Sequence, residues 1–596
     1  MNTRRTVLTS NTGVAPAVGR PRPATRAWRP RLRLAAWPLM ALLAPGRPAA
    51  SAEAEHAPIP VRFTLPAPAC FTVAIEDASG RRVRNLVSAE PFPAGTNTVW
   101  WDGLDDLDRD MAAAYHGVYH VPGKFVVPGT YRARGLACPP LSLRYALSVY
   151  NPGNPPWPTA DKGSSWIADH SPPSAVLYLP DDGTPTNRPC VLVASHRAES
   201  GPGLVWLDTE GRKIRSQQWL GGVWTAANQL TRDAGANADP AVYAYAGAPW
   251  KGDKFNKFQV ELRLHKLQRP GFRGEGPRDK RFGSGEDRAL LGGPWKFPDG
   301  TKLPEDDDQA GLSGLAARNG ILVASLPVLQ TLLVIDARAD REIGSIPMED
   351  PRGVAFDNRG RLLVLSGKRL LRFTPRLEAL AVDAPDVLVA GGLDDPRQLT
   401  IDAAGRVYVS DWGRSHQVKV FEADGAFLRA IGQAGVPGTG PYNPVQMRRP
   451  YGLAVLPDGR LWVAENDDQP RRLSLWSAAG RLLDAWYGPP GYGGGGALDP
   501  RDPGRFYHNG MEFELDWERG ASRLASVFYR PAAGDLRPEG HHMTGGPQAA
   551  LYVNDRRYFV NCFNSDPVKG TPIGFIWRDR GGVVVPAAVV GRANAL

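Results

Sequence analysis

The sequence predicts an all-β chain: a β-propeller preceded by a small β-sandwich and followed by a further β-rich region. Three observations carry this expectation. A pattern of apolar strand, tight turn and apolar strand recurs as PRGVAFDNRGRLLVL from Pro351, PRQLTIDAAGRVYVSDW from Pro396 and RPYGLAVLPDGRLWVAEN from Arg449, with the prolines 45 and then 54 residues apart. That spacing is the period of a propeller blade, and a single four-stranded blade must stack on neighbours to bury both faces. Short alternating segments with Gly/Pro turns also fill the region after Val61, and no long helical periodicity interrupts them.

Residues 1–52 hold nine arginines and no acidic residue, so the formal charge of +10 leaves about +1 for the rest. A nucleic-acid partner inferred from total charge is thereby excluded. The arginines precede an apolar run from Leu34 to Ala44 and the small-residue site Ala50-Ser51-Ala52 before Glu53, the pattern of an export signal. Thr3-Arg4-Arg5-Thr6-Val7-Leu8 resembles a twin-arginine signal, whereas the distant apolar run fits a Sec-type signal with a long start. Both readings make the mature chain secreted or periplasmic, and the run is too short to span a bilayer, so no transmembrane segment is expected.

Residues 53–140 read as the sandwich. Phe71 to Asp77, the turn Ala78-Ser79-Gly80, Arg81 to Leu86, the strand Thr98 to Trp101 and Val127 to Ala133 are short strands with turn residues between them. Asp77, Gly80, Val83, Arg84 and Leu86, then Gly95, Asn97, Trp101, Asp102 and Gly103, then Gly129, Thr130 and Tyr131 resemble the immunoglobulin-like domain of flagellar hook-capping proteins. The resemblance implies an accessory module without chemistry of its own, and the insert from Met111 to Phe125 departs from it. Trp100, Trp101 and Tyr131 fit core packing better than a carbohydrate platform. Cys70 and Cys138 bracket this domain and are able to form a disulfide in an oxidising compartment, while Cys190 and Cys562 lie in strand-like runs.

Residues 141–490 read as the propeller, with six blades. Pro351, Gly353, Ala355, Asp357 and Gly360, then Pro396, Leu399, Asp402, Gly405 and Asp411, then Pro450, Gly452, Asp458, Gly459 and Glu465 resemble NHL repeats, which implies a propeller used in secreted enzymes and binding scaffolds. Degenerate copies precede them: Gly314 to Ala317 with Ile321 to Ala324, Val242 to Tyr245 with Leu262 to His265, and Cys190 to Ala194 with Leu204 to Asp208. The charged stretch from Arg269 to Asp308 reads as a surface insertion. Residues 491–596 read as an additional β-region in preference to extra blades, in a chain that ends without a cap and so reads as truncated.

Loops on a propeller face converge near its axis, so polar residues just after each blade's second strand are the candidate site. His196, Arg197, Trp412, Arg414, Glu465 and Asn466 are the ligand-binding candidates. Asp411 fits an acceptor of backbone hydrogen bonds that closes its blade. It also fits, with Asp467, His196 and His416, a site for Ca²⁺ or Zn²⁺. With a third histidine, His170 or His265, that set resembles metal-dependent propeller lyases. No G-x-S-x-G, P-loop or CxxC motif is present. The leading expectation is a secreted propeller that recognises a glycan or protein through its loop face. A metal-dependent enzyme acting on a polysaccharide or lactone, and a structural cell-envelope protein, stand as alternatives.

Overall fold

The computed structural model describes residues 57–106, 124–140, 144–150, 166–181, 188–198, 201–220, 226–239, 241–246, 261–267, 287–292, 295–303, 311–488, 496–530, 549–562, 572–580 and 583–592. The expected export signal, most of the Met111 to Phe125 insert and most of the Arg269 to Asp308 stretch lie outside the described residues. The chain is all-β and divides into two compact units, Met1–Arg144 and Tyr145–Leu596. Among the described residues no helix is long and apolar enough to cross a membrane.

The described residues of the first unit form two sheets. Ile59–Leu65 pairs antiparallel with Gly95–Trp101, and Ala69–Glu76 runs between Arg82–Phe92 and Arg132–Cys138. Alternation along Ala69–Glu76 turns Phe71, Val73 and Ile75 inward, where they meet Leu65, Val83, Val87 and Trp101. Trp101 is buried, its indole N–H donates to the Leu104 carbonyl at 2.9 Å, and its ring lies 5.4 Å from that of Tyr131. Both aromatics are therefore packing residues of this small core.

In the second unit six four-stranded antiparallel sheets follow one another among the described residues. Blade 1 is Pro173–Leu179, Cys190–Ser195, Leu204–Leu207 and Lys213–Gln217. Blade 2 is Ala227–Arg232, Val242–Ala246, Glu261–Leu267 and Asp287–Ala289, with Trp295–Lys296 added at its edge. Blade 3 is Gly314–Arg318, Ile321–Leu326, Thr331–Asp336 and Arg341–Pro347. Blade 4 is Pro351–Phe356, Leu362–Ser366, Arg369–Phe373 and Asp386–Val389. Blade 5 is Pro396–Ile401, Val407–Asp411, Gln417–Phe421 and Phe427–Ile431. Blade 6 is Pro450–Val455, Leu461–Glu465, Arg472–Trp476 and Leu482–Tyr487.

The recurring turn explains why the first two strands of a blade fold back. In blade 4 the Asp357 carboxylate accepts the N–H groups of Arg359 and Arg361 at 2.9 and 2.8 Å and the Arg361 Nε at 2.7 Å. Asp402 repeats this in blade 5 with Ala404 and Arg406, and Gly360 and Gly405 take φ of +83° and +87°, where a side chain would be strained.

The blades bury their faces pairwise. Six apolar clusters each join two neighbours, and the cycle closes where Val176, Val191, Val193 and Leu207 of blade 1 meet Ala454, Trp462, Leu473 and Leu475 of blade 6. Trp486 stacks on Trp462 at 4.8 Å within that closing contact. Trp166 is buried in the same cluster. The first strands also touch in cyclic order around the axis, close enough to require glycine. A Cβ on Gly353 would meet the Gln398 Cα at 2.8 Å, and one on Gly452 the Ser174 carbonyl oxygen at 2.6 Å.

Among the described residues two larger sheets stand outside that cycle, besides the short ladder of Pro375–Arg376 with Ala381–Val382. Ala497–Leu498, Arg505–His508, Met511–Asp516 and Ala521–Val527 form one, joined by Gly440–Pro441. Ala549–Val553, Arg556–Cys562, Pro572–Arg580 and Val583–Arg592 form the other. Met511, Phe513, Leu524 and Val527 pack with Tyr442 and Tyr487, so the first of these sheets leans on the outer part of blade 6.

Candidate functional site at the mouth of the axis

The axis is plugged by side chains from the first strands. The Gln229 amide of blade 2 and the Gln398 amide of blade 5 donate to the Tyr451 hydroxyl of blade 6 at 2.7 and 3.0 Å, and both also reach the Ser313 carbonyl. Tyr451 is 1% exposed. A side-chain plug with its polar atoms bonded to each other leaves ligands the loop face above it.

Trp412 sits at that level, its ring 6.2 Å from Tyr451 and its indole N–H donating to the Pro450 carbonyl at 2.6 Å. Two guanidiniums flank it: Arg397 lies 4.1 Å and Arg449 5.6 Å from the ring centre. Arg397 also donates to Asp395 at 2.7 Å, and the other oxygen of Asp395 accepts from Arg352 at 2.6 Å. Arg352 reaches Asp350 at 3.0 Å, and those two carboxylates hold its charge against the burial that opposes it. On the other flank, Asp467 accepts from Arg448 at 2.7 Å and from Arg530 at 3.2 Å, the latter supplied by the region after the propeller. Four guanidiniums thus share three carboxylates, and the exposed Arg449, a fifth, has no carboxylate partner among the described residues. The cluster is net positive, with Arg397 held by cation–π contact and ion pairing.

His416 and Asn466 position Arg449. The Arg449 N–H donates to the His416 Nδ1 at 3.0 Å, its carbonyl accepts the Asn466 N–H at 2.9 Å, and its φ is +52°. Arg414 is almost wholly exposed and bonds Asp394 through its backbone N–H at 2.8 Å and its guanidinium at 3.3 Å. His196 and Arg197 follow the second strand of blade 1. His196 is buried, and the Arg197 N–H donates to the Ser171 hydroxyl at 2.9 Å.

Three of the four proposed metal ligands, Asp411, Asp467 and His416, are already engaged by protein groups. Asp411 is fully buried, and its carboxylate accepts the N–H groups of Asp394 at 3.1 Å and Asp395 at 2.6 Å and an ion pair from Lys419. These contacts tie the entry of blade 5 to its second and third strands and occupy the oxygens with a cation already present. Asp467 is likewise held by two arginines and the Gln469 N–H, and the Nδ1 of His416 is occupied by Arg449. Among the described residues no three His, Cys, Asp or Glu side chains gather as a ligand set. Glu465, offered by the sequence as a ligand contact, is buried against Arg472 at 2.7 Å and accepts the Arg448 N–H at 2.8 Å. It is the blade 6 counterpart of Asp411.

Burial, with Arg448 and Arg449 nearby, pushes the His416 imidazole down to about 4, and Asp467 and Asp395 offset this only in part. Burial and then Arg263 do the same to His265, also to about 4. A histidine whose folded pKa lies below its unfolded value stays neutral in the fold. Its contribution is therefore intact above about pH 6.5 and is lost as pH falls toward 4. Thermal denaturation from pH 7 to 4 should show a loss of about 2–3 kcal/mol for each, and His416→Asn should flatten its share of that slope.

No family model matches the chain, and no curated protein does. Solved structures that are similar include a streptogramin B lyase (13% identity, 50% of this chain and 92% of that one, TM-score 0.29). A gluconolactonase from Xanthomonas campestris is similar at 15% identity (51% and 90%, TM-score 0.25). A protein of unknown function from Bacteroides thetaiotaomicron is similar at 11% (70% and 90%, TM-score 0.32). Scores this low carry no argument about activity, and the architecture described above rests on the sheets themselves.

Proposed function

We propose that this is an extracytoplasmic ligand-binding propeller whose loop face, at the mouth of the axis, takes a carboxylate-bearing glycan. The observation that carries the reading is the guanidinium cluster around Trp412, with Arg397 stacked and braced and Arg449 exposed. A planar guanidinium matches a carboxylate in two parallel hydrogen bonds, and a fixed one loses little freedom on binding. The sugar ring attached to such a carboxylate meets Trp412, which packs on the buried Tyr451 of the plug, rather than an open channel. The sequence supports the location through its export-signal pattern. Because Trp412 carries Arg397 on its ring, the indole acts first as the support of that cation, and stacking on sugar is secondary to charge.

Calorimetric titration with an oligogalacturonate tests this. Arg397→Gln and Arg449→Gln should each weaken binding about tenfold or more, with little change in folding. Arg414→Gln, outside the cluster and paired with Asp394, should change it little. An acidic peptide that binds where the oligogalacturonate does not would replace the glycan with a protein ligand.

A further inference from the structure

Cys70 and Cys138 stand directly opposite each other in the sandwich. The register of Ala69–Glu76 against Arg132–Cys138 runs from Glu76 opposite Arg132 to Cys70 opposite Cys138 without a break. Directly opposed residues of an antiparallel pair have Cα atoms about 4.5–5.5 Å apart, within the roughly 4.4–6.8 Å that a disulfide spans. Accessibility adds a second, independent observation: Cys138 is exposed and Cys70 half-buried, whereas Cys190 is wholly buried in the core between blades 1 and 2.

We propose that Cys70 and Cys138 are a redox pair that closes into a cross-strand disulfide by exchange with an external disulfide. The exposed Cys138 thiolate attacks one sulfur of the external disulfide and expels the other as a thiolate, leaving a mixed disulfide. The Cys70 thiolate then attacks the Cys138 sulfur and expels the second external thiolate. Two protein thiols lose two protons and two electrons, and the external disulfide becomes two thiols. Cys138 initiates because it is the solvent-exposed member; Cys70 resolves because its strand neighbour is already in place.

The bond has a mechanical consequence. All seven residues of Arg132–Cys138 are exposed, and the strand is an edge of its sheet, so it depends on its pairing with Ala69–Glu76. Glycine at 135 weakens the strand further, and a side chain cannot replace it because a Cβ there would come within 2.3 Å of the Phe71 ring. A disulfide at the Cys138 end pins the last residue of that edge and closes a loop that holds Arg82–Phe92 and Gly95–Trp101 but not Ile59–Leu65.

The test uses the full chain treated with oxidised glutathione, alkylated without reduction and mapped by mass spectrometry. The expected product is a single cross-linked pair of peptides carrying Cys70 and Cys138, lighter by two hydrogen atoms and separated by reductant. Hydrogen exchange of Arg132–Cys138 should slow about tenfold or more on oxidation. Cys138→Ser should leave the Cys70 thiol open to alkylation. Alkylation of both thiols after the oxidant treatment, stable glutathione adducts on either, or a cross-link to Cys190 or Cys562 would each overturn the proposal.

Discussion

Arg472→Met is expected to destabilise the propeller by about 3–5 kcal/mol, read as a lower urea midpoint at unchanged slope. Arg472 is fully buried, and its guanidinium joins three things: the Glu465 carboxylate, the Gln446 carbonyl at 3.2 Å and the Pro444 carbonyl. Glu465 in turn accepts the Arg448 N–H, so the pair binds the segment entering blade 6 to its second and third strands. Burial raises the Glu465 carboxyl while Arg472 pulls it down, and Glu465 in return holds Arg472 more firmly charged than a free guanidinium. Removing the arginine leaves a desolvated carboxylate with one backbone donor. Adding Glu465→Gln to the first change should recover about 1–2 kcal/mol, because a neutral amide in that place costs less to bury. A single-mutant loss below about 1 kcal/mol would show that the pair is not an anchor.

Gly452→Val should cost about 2–4 kcal/mol and lower the cooperativity of unfolding. Gly452 lies in the first strand of blade 6 where it faces the first strand of blade 1. A Cβ there would meet the Ser174 oxygen at 2.6 Å, the Ala175 Cα at 2.8 Å and the Val176 nitrogen at 2.9 Å. All three atoms are backbone or backbone-bonded, so relief requires the two strands to part. That motion opens the cluster of Trp462, Val176, Val191 and Leu475, which closes the ring. Gly391→Ala is the control: nothing lies within 4 Å of its Cβ, and the expected change is within about 0.5 kcal/mol. Equal effects from the two would contradict the close approach.

The turns and strands of the propeller were legible because they are local. Asp357 and Asp402 each act within five residues, and the glycine that follows needs only its own φ. Such features survive in one sequence as a repeated pattern. The site was only half legible, because its meaning depends on partners from other strands. Asp411 shows a carboxylate at a blade lip, but Lys419, which occupies it, comes from the next strand over. Read alone, such a carboxylate looks free to hold a metal. Trp412 was found by position, yet Arg397 and Arg449, which define its chemistry, belong to the starts of blades 5 and 6. One further signal lies in the sequence itself. Arg352, Arg397 and Tyr451 each follow the proline that opens a blade, and that shared position places all three beside the axis. Gln229 could not be aligned this way, since blade 2 lacks the proline.

The proposed selection of ligand by charge at the axis mouth is tested most directly by one calorimetric comparison. Oligogalacturonate and its methyl ester share ring and length and differ in the carboxylate alone. The cluster of Arg352, Arg397 and Arg449 predicts binding of the acid at least about tenfold tighter than the ester, weakening as salt rises. Equal affinity for acid and ester, or affinity unchanged in Arg397→Gln, would contradict it.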